Sequence, residues 1–244
     1  MKSFAFMKKN LKELIRDPVT IIFGICFPVV LLVLLSIMNK HIPPEVDMFS
    51  ISKLAPGIMV FGLSFVSLLS GLLIANDREN SFVVRLYISP MRAGDFILGY
   101  TLPMIPLSFA QTLVCIIVSL FFGLKAGIGI LWLVIFLLPT ALLFIGFGLL
   151  FGSIFNVKQV GSMCGALLTN LSAWLSGTWF SLDLLGTGFE KFAHCLPFAN
   201  AVDAARCAFA CDFINIWKPF AILTLYSVVI LALSVFVFGK KMRK

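Results

Sequence analysis

The sequence predicts an all-α integral membrane protein with six transmembrane helices, and three observations carry that prediction. The 244 residues are 60% hydrophobic and only 12% charged, with a mean hydropathy of +1.06. That is too apolar for a soluble globular domain or a disordered chain. Six stretches contain no charged residue for 21 or more positions: Pro18–Asn39, Leu54–Asn76, Phe96–Leu124, Ala126–Val157, Gln159–Leu182 and Pro219–Gly239. A helix rises about 1.5 Å per residue and the hydrocarbon core is about 30 Å thick, so each stretch suffices for one crossing. The third observation is charge asymmetry. With the N-terminus in the cytoplasm, 13 of the 19 Lys and Arg fall on the inner side and 6 on the outer. The acidic residues divide 5 inside and 6 outside, so the whole +8 excess is cytoplasmic. This positive-inside bias sets both termini in the cytoplasm. The short alternating segments of an outer-membrane barrel are a different pattern.

Residues 1–17 read as an interfacial amphipathic helix. Phe4, Met7, Leu11 and Leu14 recur at helical spacing, with Lys8, Lys9, Lys12, Glu13 and Arg16 on the remaining arc; this suits a helix lying on a membrane surface. An ordinary lead-in to the first span is the alternative. Pro18 closes it and is tolerated in the first turn of the next helix. The spans are predicted at 18–39, 54–76, 97–123, 128–156, 159–182 and 216–239. The first is read as retained, because its polar lead is long and no A-x-A site follows it. Residues 77–95 form the main cytoplasmic connection, Gly123–Gly127 a tight outer turn, and 183–215 a mostly apolar outer region before the last span. Pro103 and Pro106 interrupt the third span and only Pro139 the fourth, which is poor support for an inverted repeat.

The chemistry-bearing residues are sparse. No Asp, Glu, Lys, Arg or His lies within the six runs, and His41 and His194 both map to outer loops. Neither H-E-x-x-H nor a phosphate-binding G-x-x-x-x-G-K-[ST] occurs. The expectation is a chain with no catalytic residue, metal ligand or cofactor, whose energy comes from a partner. The basic excess is a topology signal with some attraction to anionic lipid, and nucleic acid is not an expected partner. Cys26, Cys115 and Cys164 lie inside spans as small apolar side chains. Cys195, Cys207 and Cys211 fall outside, where a disulfide is chemically possible but an odd number favours free thiols.

The connection after the second span reads as a short amphipathic helix from Asp77 to Pro90. Phe82, Val83, Leu86 and Tyr87 share one face, while Arg78, Glu79 and Arg85 lie elsewhere. Pro90 stops it. Such a helix either rests on lipid headgroups or docks into a partner protein.

This segment resembles the signature that follows the second span of type-2 ATP-binding-cassette (ABC) exporter permeases, roughly E-[RK]-E-x-G-T-L-E-R-L-hydrophobic-x-x-P. Asp77, Arg78, Glu79, Arg85, Leu86 and Pro90 match; Ser81 and Phe82 replace Gly-Thr, and Val84 replaces Glu. Leu196–Arg206 is similar to the family's outer P-[LF]-x-x-[AV]-[VI]-[DE]-[AG]-[LA]-R segment. Leu175–Phe180 is similar to the S-G-[hydrophobic]-[FW]-[FW] ending of its fifth span, without the usual following proline. In order and spacing the resemblance covers essentially the whole chain.

The resemblance implies two permease subunits, identical or related, paired with two copies of a separate ATPase that holds the ATP and Mg. Asp77, Arg78, Glu79, Phe82, Val83, Arg85, Leu86, Tyr87 and Pro90 would form the coupling helix. A re-entrant hairpin would close the outer end of the path, with Pro197, Asp203 and Arg206 as a gate. Asp203 and Arg206, three apart on one helical face, are expected to pair; an exposed loop is the alternative. The second and fifth spans would line the path through Ser64, Ser67, Thr169, Asn170, Ser172, Trp174 and Ser176, with Gln111 from the third. Small residues at such spacing serve first as helix-packing positions. Flanked by Phe61, Phe65, Trp174 and Trp179, the path suits an amphiphilic cargo: a drug or antibiotic, as in multidrug efflux, or a lipid-like compound, moved outward across the cell (inner or plasma) membrane. Export of a lipid-linked polysaccharide is the alternative within the class. A membrane enzyme acting on lipids, with Asp77, Glu79 and Asp95 binding Mg²⁺, is the alternative from another class, although the interleaved Arg78, Arg85 and Arg92 fit a salt-bridged surface helix better. An ATP-independent scaffold or immunity protein is a third.

Overall fold

The computed structural model describes residues 2–18, 22–39, 50–80 and 93–242. Among them the chain is built from helices alone. α1 (Lys2–Arg16) is followed by a π-helical turn, Ile22–Cys26, that runs into α2 (Phe27–Asn39). α3 (Ile51–Glu79), α4 (Ala93–Phe121) and α5 (Ile128–Ile154) are long and apolar. A composite helix then comprises α6 (Val157–Val160), a π-helical stretch Gly161–Leu168 and α7 (Thr169–Leu175). After a 3₁₀ turn at Leu182–Leu185 come the short α8 (Thr187–Cys195) and α9 (Pro197–Phe209), then the long α10 (Trp217–Met242).

Five helices among the described residues are long and apolar enough to cross a membrane: Ile22–Asn39, Ile51–Glu79, Ala93–Phe121, Ile128–Ile154 and Trp217–Lys241. They match five of the six predicted runs to within a few residues at each end. The run expected at 159–182 folds instead as the composite Val157–Leu175, where Lys158, Gln159, Ser162, Thr169, Asn170 and Ser172 dilute the apolar character. It stops short of Leu182 for a local reason. Gly177 takes a positive φ of 70°, and the Ser176 and Thr178 hydroxyls bond to each other at 2.8 Å across it. The predicted turn after the third run is present: Gly123 sits at φ 94°, and the amide of Leu124 donates back to the Ser119 carbonyl at 3.0 Å, closing α4.

α3 is the axis of the bundle. Of its most apolar stretch 89% is buried, against 17% for α10. Its closest neighbour is α5, and the two approach through small residues. A Cβ on Gly148 would collide with the Ser70 hydroxyl and the Ser67 carbonyl, and one on Gly152 with Ile74 and the Gly71 backbone. Ser70 Oγ donates across the seam to the Ile145 carbonyl at 3.3 Å and along its own helix to Ser67. Close backbone approach through Gly and Ser is how helices associate where no water drives them together.

The outside of the bundle is oily. Val30 and Leu34 on α2, Leu113 and Ile117 on α4, and Leu225, Val228 and Phe236 on α10 are all exposed. In water such surface costs about 25 cal/mol per Å²; against lipid tails it costs nothing. Length, hydropathy and this inverted exterior together define a multi-pass membrane protein.

Candidate functional site

Two polar clusters sit at opposite ends of the bundle. At the α1 end, three consecutive residues of α3 reach four neighbouring helices. The Asp77 carboxylate is buried and receives the Lys9 ammonium of α1 at 3.0 and 3.3 Å and the Tyr100 hydroxyl of α4 at 2.9 Å. Arg78 donates to the carbonyls of Gly152 (2.6 Å) and Phe155 (3.2 Å) at the end of α5. Glu79 accepts from the Val157 amide, the first residue of α6, at 2.9 Å. Lys241 of α10 donates to the Ile154 carbonyl of the same turn at 2.8 Å. Lys9 also pairs with Glu13 at 2.7 Å. Burial pulls the Lys9 pKa down, but the bonds to Glu13 and Asp77 and their charges outweigh it and hold the ammonium above its usual value.

α1 is docked by an apolar face rotated from the predicted stripe. Among its described side chains, from Phe6 onward, Phe6, Asn10 and Leu14 are buried, with Met7 and Leu11 at the margins; Phe4 of the predicted stripe lies outside them. Gly99 of α4 leaves a notch that any Cβ would fill. Phe6 occupies it, edge-on to Tyr100 and Phe96 with ring centroids at 4.9 and 6.0 Å. Asn10 Nδ2 donates to the Gly99 carbonyl at 3.1 Å. The rotation also turns Lys9, assigned by sequence to the polar arc, onto Asp77.

Asp77, Arg78 and Glu79 thus form the last turn of α3, and the helix ends at Asn80, whose amide bonds back to Asn76. Of the predicted coupling residues, Phe82, Val83, Arg85, Leu86, Tyr87 and Pro90 lie outside the described residues. Among the described residues no three His, Cys, Asp or Glu side chains converge as metal ligands. Asp77, Glu79 and Asp95 do not make the Mg²⁺ cluster of the enzyme alternative.

At the opposite end, α8 and α9 form a short helical pair beside a cleft of about 1010 Å³, walled by Glu190, His194, Asn200, Asp203, Arg206 and Lys218 among others. Asp203 and Arg206, which spacing allows to pair, attract each other through charge, while the direct contact of the carboxylate is to a different residue. Asp203 Oδ2 lies 2.9 Å from His194 Nε2, and Nδ1 of that ring faces the Glu190 carbonyl at 2.8 Å. Arg206 spends its hydrogen bonds on the carbonyls of Lys53 (3.2 Å) and Gly177 (3.0 Å), tying α9 to the start of α3 and the end of α7. Asp203 reaches His194 because α8 folds back over α9. Asn200 fixes that bend by donating to the His194 and Leu196 carbonyls, each at 2.7 Å. Pro197 opens α9 at its first position and is buried. Both ring nitrogens of His194 face acceptors, so the imidazolium satisfies both and the neutral ring only one. Burial lowers the His194 pKa, but the Glu190 carbonyl and Asp203 outweigh this and raise it above the usual histidine value. Burial raises Asp203 as well, against the pull of His194 and Arg206.

The predicted path residues divide between core and surface. Ser64 and Ser67 are fully buried and donate back to the carbonyls of Phe61 and Ser64, at 2.6 Å each. Gln111 is fully buried where α4 meets α3, against Pro28 and Gly62, and donates to the Met59 carbonyl at 3.4 Å. Thr169, Ser172 and Ser176 are buried as well, with Thr169 Oγ1 bonded to the Cys164 carbonyl five residues back, the reach of a π turn. Only Asn170 and Trp174 face outward, Trp174 at 61% exposure. Phe61, buried, sets its ring edge-on to Trp179 at 5.5 Å and to Phe65 at 5.6 Å.

Sequence reasoning missed Lys9, Tyr100, His194, Asn200 and Lys241. Each has a partner on another helix, which no spacing within one helix could reveal. The one available signal was a histidine nine residues before an aspartate across a proline break.

The described residues thus form a polytopic helical bundle with a docked basic helix at one end and a polar cleft at the other. The chain is a member of the ABC-2 type transporter family, whose pattern matches residues 2–210. A protein of Cyanophora paradoxa named as a transport permease, ycf38, is 31% identical over 126 residues, covering 50% of this chain and 43% of its own length. The matched part therefore spans less than half of that relative.

Proposed function

We propose that the chain is the transmembrane subunit of an ATP-driven exporter that moves an amphiphilic compound outward across the cell membrane. The observation that carries this reading is the end of α3. There a family-like Asp-Arg-Glu triplet is bonded to α1, α4, α5 and α6, and it leads directly into the segment that resembles a coupling helix. A site so connected is suited to receiving force from a separate ATPase, which would hold the ATP and Mg. The basic α1 end lies in the cytoplasm on this reading, because 13 of 19 cationic residues fall on that side. The composite helix Val157–Leu175 supplies the sixth crossing, since it starts beside Glu79 and ends near Gly57 at the other end of α3. α8 and α9 form the re-entrant hairpin, and Pro197, Asp203 and Arg206 with His194 form the outer gate. Asn170 and Trp174, exposed on one helix, face a second permease copy or paralogue across the path, and the surrounding aromatic and aliphatic surface suits a drug-, antibiotic- or lipid-like cargo.

The test is association. The tagged chain, extracted from its native membrane, is expected to bring down an ATP-hydrolysing protein in stoichiometric amount. Phe82→Asp or Leu86→Asp should abolish that association while leaving the chain folded. Recovery of the intact chain without any ATPase would refute the reading, as would lipid turnover by the chain alone that disappears with Asp77→Asn.

A further inference from the structure

Three adjacent side chains on one helix turn point in different directions and here reach four helices, and the chemistry of each match is specific. The last carbonyls of a helix have no intrahelical partner and carry partial negative charge. Arg78 meets them at the end of α5, on the Gly152 and Phe155 oxygens. The first amides of a helix carry the opposite partial charge and also lack partners. Glu79 meets one at the start of α6, on Val157. The tight α5–α6 turn, already shaped by the Asn156–Gln159 capping box, is therefore gripped from α3 by a cation on one side and an anion on the other. Lys241 binds the same turn from α10. Asp77, one residue earlier, faces the opposite way and holds α1 and α4 through Lys9 and Tyr100.

The geometry points to Asp77, Arg78 and Glu79 as positioning residues that make the end of α3 a two-sided clamp, so that a displacement arriving through the chain beyond Asn80 moves α1 by one side and the α5–α6 turn by the other. Asp77, 5% exposed, is closed to a partner, while half-buried Arg78 and exposed Glu79 each bind within the chain through one atom, Nη1 and Oε1. This inference rests on the proposed ATPase-driven reading for the origin of the displacement, but the clamp itself does not depend on it.

Hydrogen exchange on the full-length chain separates the two. In the purified chain alone, Glu79→Ala should speed exchange of the Val157 amide by roughly tenfold, the loss of one bond to a charged acceptor. Glu79→Gln, which keeps an acceptor oxygen, should restore most of the protection. Asp77→Asn should loosen α1 and leave the α5–α6 turn unchanged. In the complex with the co-purified ATPase, Mg-ATP with vanadate should alter exchange in both α1 and the turn. Arg78→Ala and Glu79→Ala should abolish only the response of the turn, and Asp77→Asn only that of α1, with ATPase association retained in all three. Unchanged exchange in the free variants overturns the clamp, whatever binds the chain. Loss of ATPase association in these variants overturns it too, by making the triplet a contact surface. If the free chain behaves as stated but binds no ATPase, the clamp stands and its role in transmission is refuted together with the exporter reading.

Discussion

Replacing Gly148 by alanine tests the packing that holds the bundle together. The new methyl group would meet the Ser70 hydroxyl and the Ser67 backbone carbonyl. The hydroxyl can rotate away, at the loss of its bonds to Ser67 and Ile145. The carbonyl cannot move without its helix, so α3 and α5 must part by about 1 Å, and a gap of that size forfeits a quarter to a half of each dispersion contact along the seam. Overpacking of this kind costs about 1–3 kcal/mol. Alanine returns up to about 1 kcal/mol through its higher helix propensity. With that return in full, the net destabilisation is up to about 2 kcal/mol, or up to roughly 8 °C in Tm for a chain of this size. The buried thiols of Cys115 and Cys164 give the readout in detergent, since a thiol-reactive fluorophore reaches them only on unfolding. Gly94→Ala is the control, because a Cβ there meets open space. A Gly148→Ala chain melting at or above the wild-type temperature, alongside an unchanged Gly94→Ala chain, would refute the seam.

The hairpin of α8 and α9 should depend on pH. Facing the His194–Asp203 pair are Glu190 and Lys191 on α8, Arg206 and Cys207 on α9 and Lys218 on α10. Both members of the pair are raised in the fold, so folding takes up protons. The His194 contribution is complete below its unfolded value of about 6.5 and is lost as pH rises through the higher folded value. Amide protection in α9, corrected for intrinsic exchange, should therefore fall on going from about pH 6 to about pH 8. His194→Leu should flatten that dependence, and a dependence that survives the substitution would count against the pair. Arg206→Ala should free α9 from α3 and α7 and make the Ser181–Cys195 stretch cleavable by protease. Arg206→Lys should rescue only part of this, because one ammonium does not reproduce the fork that reaches two carbonyls. In the folded protein, brief alkylation read by mass spectrometry should modify exposed Cys195 and spare Cys115 and Cys164.

The membrane-crossing helices were legible because hydrocarbon thickness leaves a direct trace in sequence as charge-free length. α3, α4 and α5 follow their runs closely for that reason. The composite Val157–Leu175 was legible as a helix but not in its extent, which a positive-φ glycine and a hydroxyl pair decide. The amphipathic character of α1 was plain, yet its docking face was set by the notch at Gly99, a feature of another helix. The polar clusters were least legible. Lys9 and Asp77 lie 68 residues apart, and the partner of Asp203 is supplied by how α8 folds back, which no periodicity encodes. Ser67 and Ser70 carry the small-residue spacing of a packing seam, and the structure places them in one.

On the proposed function, ATP hydrolysed on a partner at the α1 end drives these helices. The chain and its co-purified ATPase, reconstituted in vesicles, should move a fluorescent lipid or amphiphilic dye between leaflets only when Mg-ATP is present on the side bearing Lys8 and Lys12. The same movement by the chain alone, or movement indifferent to which face receives the nucleotide, would contradict it.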